Sequence, residues 1–168
     1  MITEEEYDII EAELITLGIT DYIIQLDGKV DVDTDVDISG RDLSTIPVQF
    51  RNVAGNFNCW NNQLTSLTNG PSTVGGDYHC SYNNLTDLVG SPTGLSGSFY
   101  CRGNRLESLT GATSIIPVNF HCGDNTITTL IGGPSTVGGY FNCMNNLLTN
   151  LDGLPTVAKS VYSDGNQM

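Results

Sequence analysis

The stretch VAGNFNCWNNQLTSLTNGPST (53–73) runs straight into VGGDYHCSYNNLTDLVGSPTG (74–94), and the two align without a gap. Three further blocks of 21 residues follow, at 95–115, 116–136 and 137–157. Fixed columns cross all five. One holds Val53, Val74, Leu95, Ile116 and Val137, and another is aromatic, with Phe57, Tyr78, Phe99, Phe120 and Phe141. All five cysteines share a column (Cys59, Cys80, Cys101, Cys122, Cys143), as do Asn62, Asn83, Asn104, Asn125 and Asn146. Two aliphatic columns begin at Leu64 and Leu67, and a proline closes four of the five blocks. A period of this length is the signature of a stacked repeat architecture.

The spacing has a physical reading. Aromatic-x-Cys alternates with period two, so it predicts a short strand with both side chains facing inward. One coil cannot bury that face, but stacked coils can. The expectation is a β-rich solenoid whose strands form a parallel sheet, advancing about 4.8 Å per coil. The Asn column falls where the chain leaves the strand, where an amide can satisfy backbone groups that would otherwise be buried unpaired. The remainder of each coil returns along the far side without regular helix. Residues 32–52 keep the register through Val32, Val36, Ile38, Leu43 and Ile46, as a degenerate first coil. Residues 158–168 place Ala158 and Tyr162 in register, as a partial last coil.

Phe-x-Cys-x-x-Asn-x-Leu-x-x-Leu resembles the core of the leucine-rich-repeat family, with Cys at an inward position often held by Leu. The short period and the proline resemble the bacterial type of that repeat. The wording VGG-x-F-x-C-x-x-N-x-L is similar to leucine-rich-repeat proteins encoded by tailed bacteriophages, in which a leader like DGKVDVDTDVDISGRDLSTIP (27–47) precedes the repeats. The resemblance covers about 27–168. It implies a leucine-rich-repeat coil stack and carries no common assigned role.

Upstream of the coils, Thr3 and Glu6 form a capping-box pattern. Tyr7, Ile10, Leu14 and Leu17 follow at helical spacing and Gly18 is a stop, which predicts a helix over 4–17. Asp27-Gly28 between Tyr22–Leu26 and Lys29–Asp33 predicts a β-hairpin. The organisation expected is an N-terminal cap, 1–31, covering the apolar end of a solenoid, 32–168.

The chain has 168 residues and a net charge of −13. Thirteen acids lie in residues 1–42 against Lys29 and Arg41, which reads as a solvated acidic head on a nearly neutral body. Six Lys and Arg in total argue against nucleic acid as a partner. No apolar run approaches the ~20 residues that span a bilayer, so no membrane partner is expected. MITEEEYDIIEAEL carries acids where a signal peptide has a basic start, so export by that route is not expected.

Few patterns carry chemistry. Asp31, Asp33, Asp35 and Asp37 alternate with apolar or small residues, and in one strand would share a face about 7 Å apart. They lack the Gly and Glu of a helix-loop-helix calcium site. The solvated edge of a cap strand is the reading, with a loose cation site as the alternative. The cysteines contain no C-x-x-C pair and are odd in number, so free buried thiols and a reducing compartment during folding are expected. His79 and His121 share a column two coils apart, about 10 Å, too far to share a metal ion. Neither metal nor other cofactor is expected, and no nucleophile–base pair or phosphate loop supports an enzyme.

Solenoids commonly bind on the concave face of their sheet. The outward positions bring together Trp60, His79, Tyr82, Tyr100, Arg102, His121, Tyr140 and Met144; Trp, Tyr and Arg are the types enriched at binding hot spots, and Met is an adaptable apolar contact. Cross-strand aromatic packing is the competing explanation. Nothing after Val157 resembles a cap, so the last strand, with Val161, Tyr162 and Met168, is expected to dock on another protein or a second copy. The combined expectation is a non-enzymatic protein-interaction or structural protein. The phage resemblance implies an accessory or decoration component of a virion, located there or in the cytoplasm of an infected bacterium. The alternative is a soluble intracellular protein that captures a host factor.

Overall fold

The computed structural model describes residues 1–156 and 158–168; Val157, which closes the fifth block, lies outside the described residues. The chain is a β-solenoid of about six turns, mostly of parallel strands, with one N-terminal helix. Helix α1 spans Glu4–Leu17. Thr3 Oγ1 accepts from the Glu6 amide (3.2 Å) and Glu6 Oε2 accepts from the Thr3 amide (2.8 Å), so both halves of the capping box form. Gly18 ends the helix at φ 75°, a conformation that favours a residue without Cβ.

Strands β1 (Tyr22–Ile24) and β2 (Val30–Val32) form the expected antiparallel hairpin. β2 also pairs in parallel with β4 (Phe50–Val53), so the division between residues 31 and 32 falls inside a strand that belongs to both cap and solenoid. Arg41 ties the two together, its guanidinium donating to the Leu17 carbonyl at the helix C-terminus (2.9 Å).

Seven parallel strands form the long sheet: β3 (Val36–Asp37), β5 (Phe57–Asn58), β7 (Tyr78–His79), β9 (Phe99–Tyr100), β11 (Phe120–His121), β13 (Tyr140–Asn142) and β14 (Ser160–Tyr162). From β5 to β13 the inward aromatic residues are buried and stack ring on ring: Phe57–Tyr78 at 5.3 Å, Tyr78–Phe99 at 5.1 Å, Phe99–Phe120 at 5.7 Å and Phe120–Phe141 at 5.4 Å. The five cysteines are buried free thiols in the next inward column. Burial pushes their pKa values up, that of Cys143 to about 11, so they pack as small hydrophobes.

Each Asn of the column spans two coils. Asn104 Nδ2 donates to the carbonyls of Cys80 and Cys101, both at 3.1 Å, and its Oδ1 accepts from the Leu85 amide at 3.1 Å. Asn83, Asn125 and Asn146 repeat the pattern.

Three features differ from the sequence reading. First, a second parallel ladder runs through the Val53 column. β4, β6 (Thr73–Val74) and β8 (Gly94–Leu95) continue from β2, and β10 (Ile115–Ile116) pairs with β12 (Thr136–Val137). Second, a corner joins the two ladders, so Asp31, Asp33, Asp35 and Asp37 do not share one strand face. Asp31 lies in β2 and Asp37 in β3, with the chain bending at 33–34 between them. Asp31 accepts from Gln25 (2.7 Å), Asn52 (2.9 Å) and Arg51 Nε (2.9 Å), and the Arg51 contact, ahead of the others, holds its carboxyl below the usual range. Third, the last coil slips by one residue. Val161 pairs with Phe141, and Tyr162 pairs with Asn142, so Tyr162 is outward rather than in the inward aromatic column. Thr156 still donates to Ser135 O in the full register, whereas Lys159 donates to Gly139 O, one residue short of it. Gly165 and Asn166 thereby take the places of Asn145 and Asn146, and Asn166 Nδ2 donates to Cys143 O (3.0 Å).

Candidate binding face

The outward column of the long sheet is a second aromatic ladder, back to back with the buried one. Trp60 and His79 ring centroids lie 6.1 Å apart, His79 and Tyr100 5.0 Å, and Tyr100 and His121 4.8 Å. His121 meets Tyr140 edge-on at 5.0 Å, and Tyr140 meets Tyr162 edge-on at 5.8 Å. In-register parallel pairing sets His79, Tyr100 and His121 side by side, because they are identical positions of successive coils, while Trp60 and Tyr140 join the row from the columns on either side and Tyr162 from the last coil. The structure thus joins Trp60, His79, Tyr100, His121, Tyr140 and Tyr162 into one row and adds the last of these to the face. Trp60 is nearly parallel to His79, and Tyr100 to His121, so those rings turn faces toward each other and edges toward solvent. The competing explanation therefore accounts for the middle of the row. The exposed aromatics are at its ends and flank: Trp60 (38% exposed), Tyr82 (46%) and Tyr162 (45%).

Tyr82 is unlike its column. Asn61, Asp124 and Asn145 share its left-handed conformation, and Gly103 fills the remaining repeat position. A bulky aromatic at φ 55° is strained, whereas Gly, Asn and Asp adopt this region readily. The ring covers Gly103, whose missing Cβ would lie 2.7 Å from a Tyr82 ring carbon, and meets Trp60 edge-on at 6.2 Å.

Burial lowers the pKa of both histidines. The Asp77 charge opposes that shift at His79, while Arg102 and His79 reinforce it at His121. His121 Nε2 is solvent-inaccessible and has no hydrogen-bond partner among the described residues.

The column Asn56, Asp77, Ser98, Asn119, Tyr140, which borders the face, has a structural task. The Asp77 amide donates to Asn56 Oδ1 (2.7 Å), the Ser98 amide to Asp77 Oδ1 (2.6 Å), the Asn119 amide to Ser98 Oγ (3.3 Å) and the Tyr140 amide to Asn119 Oδ1 (3.0 Å). Each rung leaves an oxygen where the next coil's corner residue would place a Cβ, so Gly76 and Gly97 are glycines. Val118 is tolerated above Ser98, the shortest acceptor in the series.

Arg102 and Met144 flank a notch of about 240 Å³ floored by Gly123. Arg102 Nε donates to Asp124 Oδ2, and Asn145 Nδ2 donates to Asp124 Oδ1 (2.7 Å). Sequence reasoning did not single out this notch, although its signal was present: Gly123 stands in a column of Trp60, Ser81, Arg102 and Met144. A larger cleft, about 490 Å³, lies between the C-terminal end of α1 and the first coil. Its Arg41, Asp35 and Asp37 already serve the Leu17 carbonyl, the Asn56 amide and the Ser39 amide.

At the far edge, Val161 (39% exposed), Tyr162 and Met168 all face solvent. Among the described residues, no cluster of three or more His, Cys, Asp or Glu could hold a metal ion, and no helix is long and apolar enough to cross a membrane. Neither a protein-family model nor a curated protein matches the chain.

Proposed function

We propose that this chain is a non-enzymatic binding protein that engages another protein through the outward face of its long sheet, and that it serves as an accessory or decoration component of a bacteriophage particle. Tyr82 carries the first half. The fold holds an exposed aromatic in a strained conformation beside Trp60, at a position where its own repeats use Asn, Gly or Asp. Strain of this kind clusters at binding sites, and Trp, Tyr and Arg anchor interfaces. The chemistry-bearing groups support binding over catalysis. Asp31 and Asp124 are held in side-chain networks, the thiols are buried, and Tyr100 separates the two histidines. The second half rests on the resemblance of the repeats to phage-encoded proteins.

Tyr82→Asn tests the first half. It should weaken partner binding severalfold while leaving the thermal midpoint unchanged or raised, because Asn accepts φ near 55°. Unaltered binding would reduce the face to a packed surface. Quantitative mass spectrometry of purified particles tests the second half. A fixed copy number supports a virion component, and absence favours the soluble, host-factor-capturing role.

A further inference from the structure

We propose that the notch floored by Gly123 is a subsite for one neutral sugar residue of an oligosaccharide. The inference rests on the reading of this sheet face as the binding face and adds a ligand class to it. Size is the first argument. A volume of about 240 Å³ is roughly eight times that of a liquid water. It suits a single pyranose ring and greatly exceeds the tip of an Asp or Glu side chain.

Charge is the second argument. Arg102 and Asp124 are paired across the notch, so its formal charge is balanced. A carboxylate or phosphate entering it would meet Asp124, and an ammonium would meet Arg102. A ligand that both donates and accepts without net charge fits this balance.

The third argument is the inventory of hydrogen-bonding groups. Asp124 engages Arg102 through Nε, which leaves the end-on Nη1 and Nη2 donors without a partner among the described residues. Asn142 Oδ1 accepts from the Met144 amide (3.0 Å), which leaves its Nδ2 in the same position. Asp124 oxygens retain accepting capacity. Hydroxyls on adjacent ring carbons match such alternating donors and acceptors. Met144 offers an adaptable apolar wall for the C–H face of a ring. The notch exists because residue 123 has no side chain. A Cβ there would lie 3.2 Å from Met144 O and 3.3 Å from Asn142 Oδ1, tight but short of a clash, and its column already carries Ser81.

The test is amide-resolved NMR titration of the full chain with neutral hexasaccharides of glucose, mannose, xylose and N-acetylglucosamine. Hexagalacturonate and a Glu-rich peptide serve as charged comparisons. The expected result is a saturable shift of the Gly123, Asp124 and Asn142 amides by at least one neutral probe. Gly123→Ser and Arg102→Gln should each weaken it about tenfold, the scale of one charge-assisted hydrogen bond. Absence of any shift at Gly123 from every neutral probe at millimolar concentration overturns the proposal. So does preferential filling by hexagalacturonate or the peptide. Gly123→Ser retains Trp60, Tyr82 and Tyr162. Partner binding by the native chain with no sugar response removes the notch alone, whereas unaltered partner binding in Tyr82→Asn removes the broader reading.

Discussion

Tyr78 is the one member of the inward aromatic column that carries a hydroxyl, and that oxygen is buried with no partner among the described residues. It lies close to Gly70, whose missing Cβ would sit 2.9 Å away. A buried polar group left unpaired costs about 1–3 kcal/mol. Tyr78→Phe should therefore stabilise the chain by about 1 kcal/mol in urea denaturation, and a loss of stability would reveal an unseen partner for the hydroxyl. The histidines set the pH response. The ordinary histidine value is 6.5, and the folded ladder lowers it at His79 and His121. Below that value the unfolded chain takes up protons that the folded chain refuses, so stability is full above it and falls as pH drops through it. The hydrogen-bonded carboxylates of Asp31 and Asp37 act in the same sense only lower, starting from an ordinary value of 3.8. Thermal midpoints measured from about pH 7 to about pH 5 should fall. The double variant His79→Asn/His121→Asn should flatten that fall, since its column already carries Asn58 and Asn142.

At the scale of the elements, the strands are only two to four residues long and the side-chain ladders hold them. Asn104→Ala would leave the Leu85 amide in the buried turn without its partner and take one of two amide donors from each of the Cys80 and Cys101 carbonyls, which keep Asn83 and Asn125. The expected cost is about 2 kcal/mol by chemical denaturation. Asn166→Ala, in the half-buried last coil, should cost less. The columns that make these ladders were legible in the sequence because every coil repeats them. The second parallel ladder was not, because β6, β8, β10 and β12 each show a single inward apolar residue, too little for a period-two signal. The alternation of Asp31 to Asp37 imitated a strand and concealed a corner, since corner acceptors such as Asp35 also recur beside apolar positions. Counting 21 residues into the last coil put Tyr162 inside. The pair Gly165-Asn166, matching Asn145-Asn146 at an offset one shorter, was the sequence signal for the slip. On the face, residue types pointed to aromatics and Arg102 but not to the notch, because a space is marked only by the side chain a position lacks.

For the molecule as a whole, charge and edges lie at opposite ends. The acidic head surrounds α1 and the hairpin, while β14 forms the outer edge of the long sheet. An exposed edge strand is a template for pairing, and two copies meeting there would keep their acidic heads apart. Light scattering should show concentration-dependent association that Val161→Lys with Tyr162→Glu suppresses. A native chain that stays monomeric at high concentration, with the β14 amides slow to exchange, would count against the edge as a docking site.

The rungs have a consequence for how such a gene changes. Every coil receives from one neighbour the same bonds it gives to the other, so a coil is an interchangeable unit. A copying error that duplicates or removes one whole repeat joins like to like, and the product folds with a longer or shorter row of aromatics on offer. A single codon lost or gained within a strand exchanges the inward and outward side chains of the rest of that strand. The terminal coil, with no further coil packed beyond it among the described residues, already runs one residue short, and its Val161, Tyr162 and Asn166 still take the columns of Phe141, Asn142 and Asn146.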